Sequence, residues 1–160
     1  EYKLSHCGML SMDIMRMEKG YLHWGHDISP EENQFEAGLS FAISFKKNIN
    51  FIGKKAISKI RNQKVKKRMV MLTLKDSQPG SPLLLHDEPI YCGNKIIGRT
   101  TSCNYSFNFK KNMSFGYIKS ESTIEELEKN IFYIEVEKKK YEAVLEKKML
   151  HDPENKIIKS

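Results

Sequence analysis

The chain has 160 residues, 39% of them hydrophobic, and carries 27 Lys+Arg against 20 Asp+Glu for a formal net charge of +7. No apolar run approaches the ~18 residues that a membrane-crossing helix requires, and no basic start followed by an apolar stretch marks a secretory signal. A disordered or collagen-like chain is excluded, and the length suits one ordinary domain, or one small domain with a sizeable extension.

The predicted elements begin with a helix. Leu4, Cys7, Leu10, Ile14 and Met17 recur at three- and four-residue steps, and Gly20 ends the pattern as a terminating glycine does. After a short aromatic stretch from Tyr21 to Ile28, Ser29-Pro30 opens a polar loop. The run FEAGLSFAISF, Phe35 to Phe45, predicts a strand. A second helix fits Ile52 to Arg61. Residues 1–45 are too few to close a core, so they are expected to be the end of a larger domain that starts upstream. Leu10, Ile14, Met17, Leu39 and Ile43 are then expected to form an apolar surface for that upstream chain.

The charge is concentrated. Residues 46–75 hold 11 Lys/Arg and no acid, whereas residues 1–45 hold 3 Lys/Arg against 7 Asp/Glu. Such a stretch is read as a solvated basic linker or an anion-facing surface. Beyond it, Met69 to Leu74 is a strand, and Gln78 to Pro82 (QPGSP) is a turn. Pro89 to Gly98 makes a hairpin through Gly93-Asn94. Thr100 to Phe109 is one bent strand or two, and Ser114 to Ile118 is another strand. Thr123 to Leu127 is a helical turn, and Ile131 to Leu145 is a last hairpin through Lys138-Lys139-Lys140. The tail after His151 reads as polar and frayed. Five to seven short strands with turns between them predict a small closed or Greek-key barrel.

Spacing alone yields no catalytic constellation. The phosphate loop, GxGxxG, HExxH and GxSxG are absent, and Cys7, Cys92 and Cys103 form no CxxC. His23 and His26, three apart, lack further ligands for a metal. The basic stretch beside Tyr105, Phe107 and Phe109 admits a nucleic-acid surface, but its cations are mostly Lys, whereas bidentate readers of phosphate and base are usually Arg. Arg16, late on an apolar helix, either pairs with Glu18 or holds a ligand carboxylate with its planar fork.

Several motifs in order resemble the glycine-cleavage T-protein (aminomethyltransferase) superfamily. Arg16 to Ile43, RMEKGYLHWGHDISPEENQFEAGLSFAI, is similar to its R-[LM]-E-x-G-[YF] signature and the acidic and AGL motifs that follow. Phe51 to Ile57 (FIGKKAI) resembles its linker, and Lys66 to Leu74 resembles the strand that opens its barrel. Ile97 to Ser102 and Lys111 to Tyr117 resemble two further barrel segments. The wording is similar to the folate-binding part of dimethylglycine and sarcosine dehydrogenases. The tRNA-modifying branch's K-G-C-Y-x-G-Q is absent. Asn33 or Gln34 stands where the family has Pro.

The resemblance implies an α+β chain, with a C-terminal Greek-key β-barrel preceded by the tail of a ferredoxin-like α/β domain. Its parts are residues 1–45 (end of the central folate-binding domain), 46–65 (basic helical linker), 66–150 (barrel) and 151–160 (tail). It implies one-carbon transfer to tetrahydrofolate from a methylated-amine or aminomethyl substrate. FAD would be held only by an upstream domain of a dehydrogenase. The family's catalytic aspartate and pterin-binding glutamate fall upstream, so no catalytic or metal-binding residue is expected in this chain. The resemblance assigns Arg16 to the carboxylate tail of folate, and Trp24 and Phe41 to aromatic positions near that pocket. The expected partners are upstream domains of the same polypeptide, with no membrane and no nucleic acid. The expected location is the cytoplasm of a bacterium or the mitochondrial matrix of a eukaryote. The alternatives are a catalytically silent T-protein-like regulatory subunit, such as that of a pyruvate dehydrogenase phosphatase, and a nucleic-acid-binding barrel.

Overall fold

A computed structural model describes residues 3–159, so Glu1, Tyr2 and Ser160, at the ends of the predicted first part and tail, lie outside the described residues. The helices are α1 (Met9–Lys19), α2 (Lys54–Ile60) and α3 (Ile124–Leu127). The strands are β1 (Lys67–Leu74), β2 (Pro89–Cys92), β3 (Lys95–Ser106), β4 (Lys111–Lys119), β5 (Phe132–Val136) and β6 (Lys139–Glu146). The six strands close into an antiparallel barrel in the order β1-β4-β3-β2-β5-β6. Strands β2, β3 and β4 form a meander, and β1 returns beside β4, which is the Greek-key connection the sequence predicted.

The barrel follows from strand alternation. Val70, Leu72 and Leu74 point inward from β1 and pack with Ile90, Ile118, Phe132, Ile134, Val136 and Leu145. The opposite face of β1 and β4 is also covered. Met71, Met113 and Phe115 pack outside the barrel against Met17 of α1, which is fully buried. Two covered faces explain why β1 reads as a continuous apolar run rather than an alternating one.

The first hairpin turns at Gly93, φ +59°, as the Gly93-Asn94 pair predicted. Of the segment Thr100 to Phe109, Thr100 to Ser106 form one strand continuous with Lys95, whose register against β4 shifts between Thr100 and Cys103, whereas Phe107 to Phe109 lie in the turn into β4. At Gly98 this strand lies against β4 with no room for a side chain: a Cβ there would come within 1.9 Å of the Tyr117 carbonyl oxygen. Thr123 caps α3 with a reciprocal Thr123–Glu126 box.

Four expectations need correction. Leu4 and Cys7 precede the first helix, which begins only at Met9 because Gly8, its N-cap, is extended (φ −73°, ψ 158°). Phe35 to Phe45 is no strand. Asn33 Oδ1 accepts from the amides of Phe35 and Glu36 at 2.9 and 3.1 Å, Gly38 adopts φ +72°, and Ser40–Ala42 forms a 3-10 turn. Side-chain capping by Asn33 and the left-handed glycine bend the backbone out of the extended state before it can pair. The apolar surface expected to await upstream chain does not hold for Met17, which packs on the barrel with Ile14 beside it, although Leu10 is 77% exposed. The tail is held by Lys19, whose Nζ donates to Asp152 Oδ2 at 2.9 Å and to its carbonyl at 2.6 Å, and by the His151 amide on the Glu18 carbonyl.

Candidate functional site

Helix α1 ends in a glycine cap. Gly20 takes φ +82°, and the amides of Gly20 and Tyr21 return to the carbonyls of Met17 and Arg16. This turns the chain back under Arg16. The Asp27 carboxylate, whose side chain is 0% exposed, accepts from Arg16 Nη1 at 2.6 Å, the His23 amide at 2.8 Å and Thr101 Oγ1 at 2.6 Å. Arg16 also donates from Nε to Asp13 at 2.8 Å, from Nη1 to the Tyr21 carbonyl at 3.1 Å and from Nη2 to Ser102 Oγ at 2.7 Å. The network ties residues 13–27 to β3. It also sets aside the Arg16–Glu18 pairing: the buried Glu18 accepts from Ser106 Oγ instead.

The next seam element is the loop that follows. Glu32 pairs with Lys67 and caps Ser29, whose amide and hydroxyl donate at 2.9 and 2.7 Å. Burial works to raise the Glu32 carboxyl, but the Lys67 and Ser29 bonds outweigh it and hold it below its ordinary value. Tyr117 lies beneath this loop with the Lys67 ammonium 4.5 Å from its ring centroid. Burial raises its phenol well above the ordinary range. Burial likewise pushes the Cys103 thiol up to about 12, so it is a packed hydrophobe rather than a nucleophile.

Between residues 19–41 and the barrel runs a cleft of about 640 Å³. Its apolar walls include Leu39, Phe41, Met69, Met71 and Phe115. It opens where the barrel wall is incomplete. The β1–β6 ladder starts only at Met71–Glu146, so Lys67 to Val70 have no partner in β6. The Met69 amide is satisfied instead by the Glu36 carbonyl at 2.8 Å. Arg68 lines the same cleft, and its Nε is buried without a hydrogen-bond partner. A second groove, of about 690 Å³, lies between residues 42–44 and α2. Its walls come from the first part and the linker alone, whereas the cleft joins residues 19–41 to the barrel and presents aromatic, apolar and cationic groups together.

Of the residues singled out in the sequence, Phe41 lines the cleft and is 83% exposed. Arg16 and Trp24 do not line it. Trp24, 65% exposed, sits in the loop that Asp27 pins. His23 and His26 stack with ring centroids 4.8 Å apart, and among the described residues no group of three His, Cys, Asp or Glu could hold a metal ion. Sequence reasoning missed Asp27, Thr101, Ser102 and Arg68. All four lie within quoted segments, Arg16 to Ile43, Ile97 to Ser102 and Lys66 to Leu74, but only the fold brings the first three to Arg16.

Comparison with known proteins gives two family matches in series. The GCVT N-terminal domain matches residues 1–47, and the glycine cleavage T-protein C-terminal barrel domain matches residues 67–152. Mouse mitochondrial sarcosine dehydrogenase is 28% identical over 98% of this chain and 17% of that protein. Human mitochondrial dimethylglycine dehydrogenase is 33% identical over 74% of this chain and 13% of that protein. The chain thus spans less than a fifth of these relatives. The solved aminomethyltransferase T of the Bartonella henselae glycine cleavage system shares the fold, with a TM-score of 0.76 at 20% identity, over 89% of this chain and 38% of that one.

Proposed function

We infer that this chain, which belongs to the glycine cleavage T-protein family, supplies one wall of a folate site in a tetrahydrofolate-dependent one-carbon transfer enzyme of the T-protein or dimethylglycine/sarcosine dehydrogenase kind. The observation that carries this reading is the cleft at the seam of the two family-matched parts, lined by residues 19–41 on one side and by the barrel on the other. When bound, tetrahydrofolate supplies the nitrogen acceptor for the one-carbon unit.

The residues present suit the middle and tail of a folate rather than its reacting end. Phe41 offers an exposed aromatic face for the aminobenzoyl ring. Met69, Met71 and Met149 offer polarisable apolar contacts at the cleft. The carboxylate role that resemblance gave to Arg16 changes character here. Its nitrogens already donate to Asp13, Asp27, Tyr21 and Ser102, so we assign it as a positioning residue that fixes the loop carrying Tyr21 and Trp24. Trp24 is proposed as an aromatic surface turned to the upstream domains. Those domains carry the general acid/base, the amine substrate site and, in a dehydrogenase, FAD. Kinship with two mitochondrial dehydrogenases favours the mitochondrial matrix if the chain is eukaryotic.

The test is a titration of the full-length polypeptide with 5-formyltetrahydrofolate. Phe41→Ala is expected to weaken binding about 3- to 10-fold, the scale of one aromatic stacking contact. An unchanged dissociation constant removes Phe41 from the wall. Absence of binding by the wild type removes the reading.

A further inference from the structure

Beyond β6 the chain returns to the end of α1 and closes one end of the cleft, where Met149, Asp152, Pro153 and Asn155 join Lys19 and Gly20 in its lining. Two kinds of contact hold this tail. Met149 rests on the bare backbone of Gly20: a Cβ there would lie 2.2 Å from the Met149 Sδ, so the contact exists only because position 20 has no side chain. Asp152 makes the polar contacts. Its Oδ2 and its carbonyl accept from Lys19 Nζ at 2.9 and 2.6 Å, and its Oδ1 and carbonyl accept from the amides of Lys156 and Asn155 at 2.7 and 3.0 Å. One residue thus folds the turn that follows it and fastens that turn to α1. The backbone at the same residue is strained. Asp152 sits at φ +42°, in the left-handed region, although it precedes Pro153, whose ring favours extended backbone in the residue before it. A non-glycine residue keeps such a conformation when its surroundings impose it, and such residues cluster at clamps and switches. Burial does not impose it further on, since residues 153–159 are all exposed.

We propose that residues 149–156 form a strap across the end of the cleft, latched by Lys19 and Asp152, which opens to admit a ligand and closes behind it. When the latch parts, the ion pair is lost but Asp152 is released from its left-handed backbone. The two effects oppose each other, and this keeps the closed and open arrangements close enough in free energy to exchange. The inference rests on the folate reading above for the identity of the ligand, and adds to it the element that governs the ligand's passage.

Two readouts on the full-length polypeptide test the strap, and the first needs no ligand. A thiol is placed in the cleft by Met69→Cys, and its alkylation by iodoacetamide is followed by peptide mass. Adding Lys19→Met is expected to speed labelling at position 69 by about 5-fold or more, the scale of one lost charge-assisted contact. Asp152→Asn, which removes the charge and little volume, should act in the same direction. Labelling of Cys103, which packs against the barrel core, should not change. In the second readout, stopped-flow mixing with 5-formyltetrahydrofolate, association and dissociation should both quicken in Asp152→Asn while the dissociation constant moves by less than about 2-fold. A clamp that never opens would leave association unchanged. Labelling at position 69 that is unchanged in both variants, or acceleration shared equally by Cys103 through a loosened fold, overturns the strap whether or not folate binds. Selective acceleration at position 69, in a wild type that binds no folate, supports the strap and overturns the folate reading alone.

Discussion

Arg16 and Asp27, 11 residues apart, meet at 2.6 Å beneath the turn that follows α1, with the Asp27 side chain completely buried. Through Asp27 the same contact reaches Thr101, and through Arg16 it reaches Ser102. One ion pair therefore couples the helix, the loop of residues 21–28 and strand β3.

Removing one partner leaves the other charged and without compensation. Asp27→Ala is expected to destabilise the chain by about 3–5 kcal/mol, the range for breaking a buried pair. Arg16→Lys keeps the charge but cannot meet four acceptors from one planar fork, so a smaller loss, about 1–2 kcal/mol, is expected. Urea denaturation of both variants measures this. A loss below about 0.5 kcal/mol for Asp27→Ala would show that the network is incidental to stability.

The Lys19 ammonium holds the Asp152 carboxyl down, from an ordinary value near 3.8 to about 2. A depressed folded-state value stabilises the chain above the unfolded value, and that contribution disappears as pH falls through the folded one. The stability difference between wild type and Asp152→Asn should be constant above about pH 5 and shrink between about pH 4 and pH 2. Melting temperatures across that window test it. A difference that persists unchanged to pH 2 would mean that the Asp152 charge contributes nothing.

Met17 and Leu10 share α1, but Met17 is fully buried against Met71, Met113 and Phe115 whereas Leu10 is 77% exposed. Met17→Ala should cost about 2–5 kcal/mol. Leu10→Ser should stay within about 0.5 kcal/mol. Comparable losses for the two would place the helix differently against the barrel.

The barrel was legible because its signals are local. Gly93-Asn94 demands a tight turn, QPGSP breaks the chain, and the alternation of Phe132, Ile134 and Val136 along β5 gives one inward face. Phe35 to Phe45 misled because apolar content there looks like a strand, while Asn33 and Gly38 impose turns that period-two counting ignores. In the site, Phe41 and Arg16 stood out through motif resemblance. Asp27 and Ser102 did not, because their roles depend on contacts 11 and 86 residues from Arg16. Arg68 was hidden beside Lys64, Lys66 and Lys67 where the barrel begins, since neither charge nor spacing tells which cation the fold leaves unpaired.

Whether a folate lies in the cleft between residues 19–41 and the barrel is decided by amide hydrogen exchange of the full-length polypeptide, with and without 5-formyltetrahydrofolate. The ligand is expected to slow exchange in residues 39–42 and 67–71, on the two walls, and to leave the distant hairpin tip at Gly93-Asn94 unchanged. Saturating ligand that protects neither wall would contradict the folate assignment.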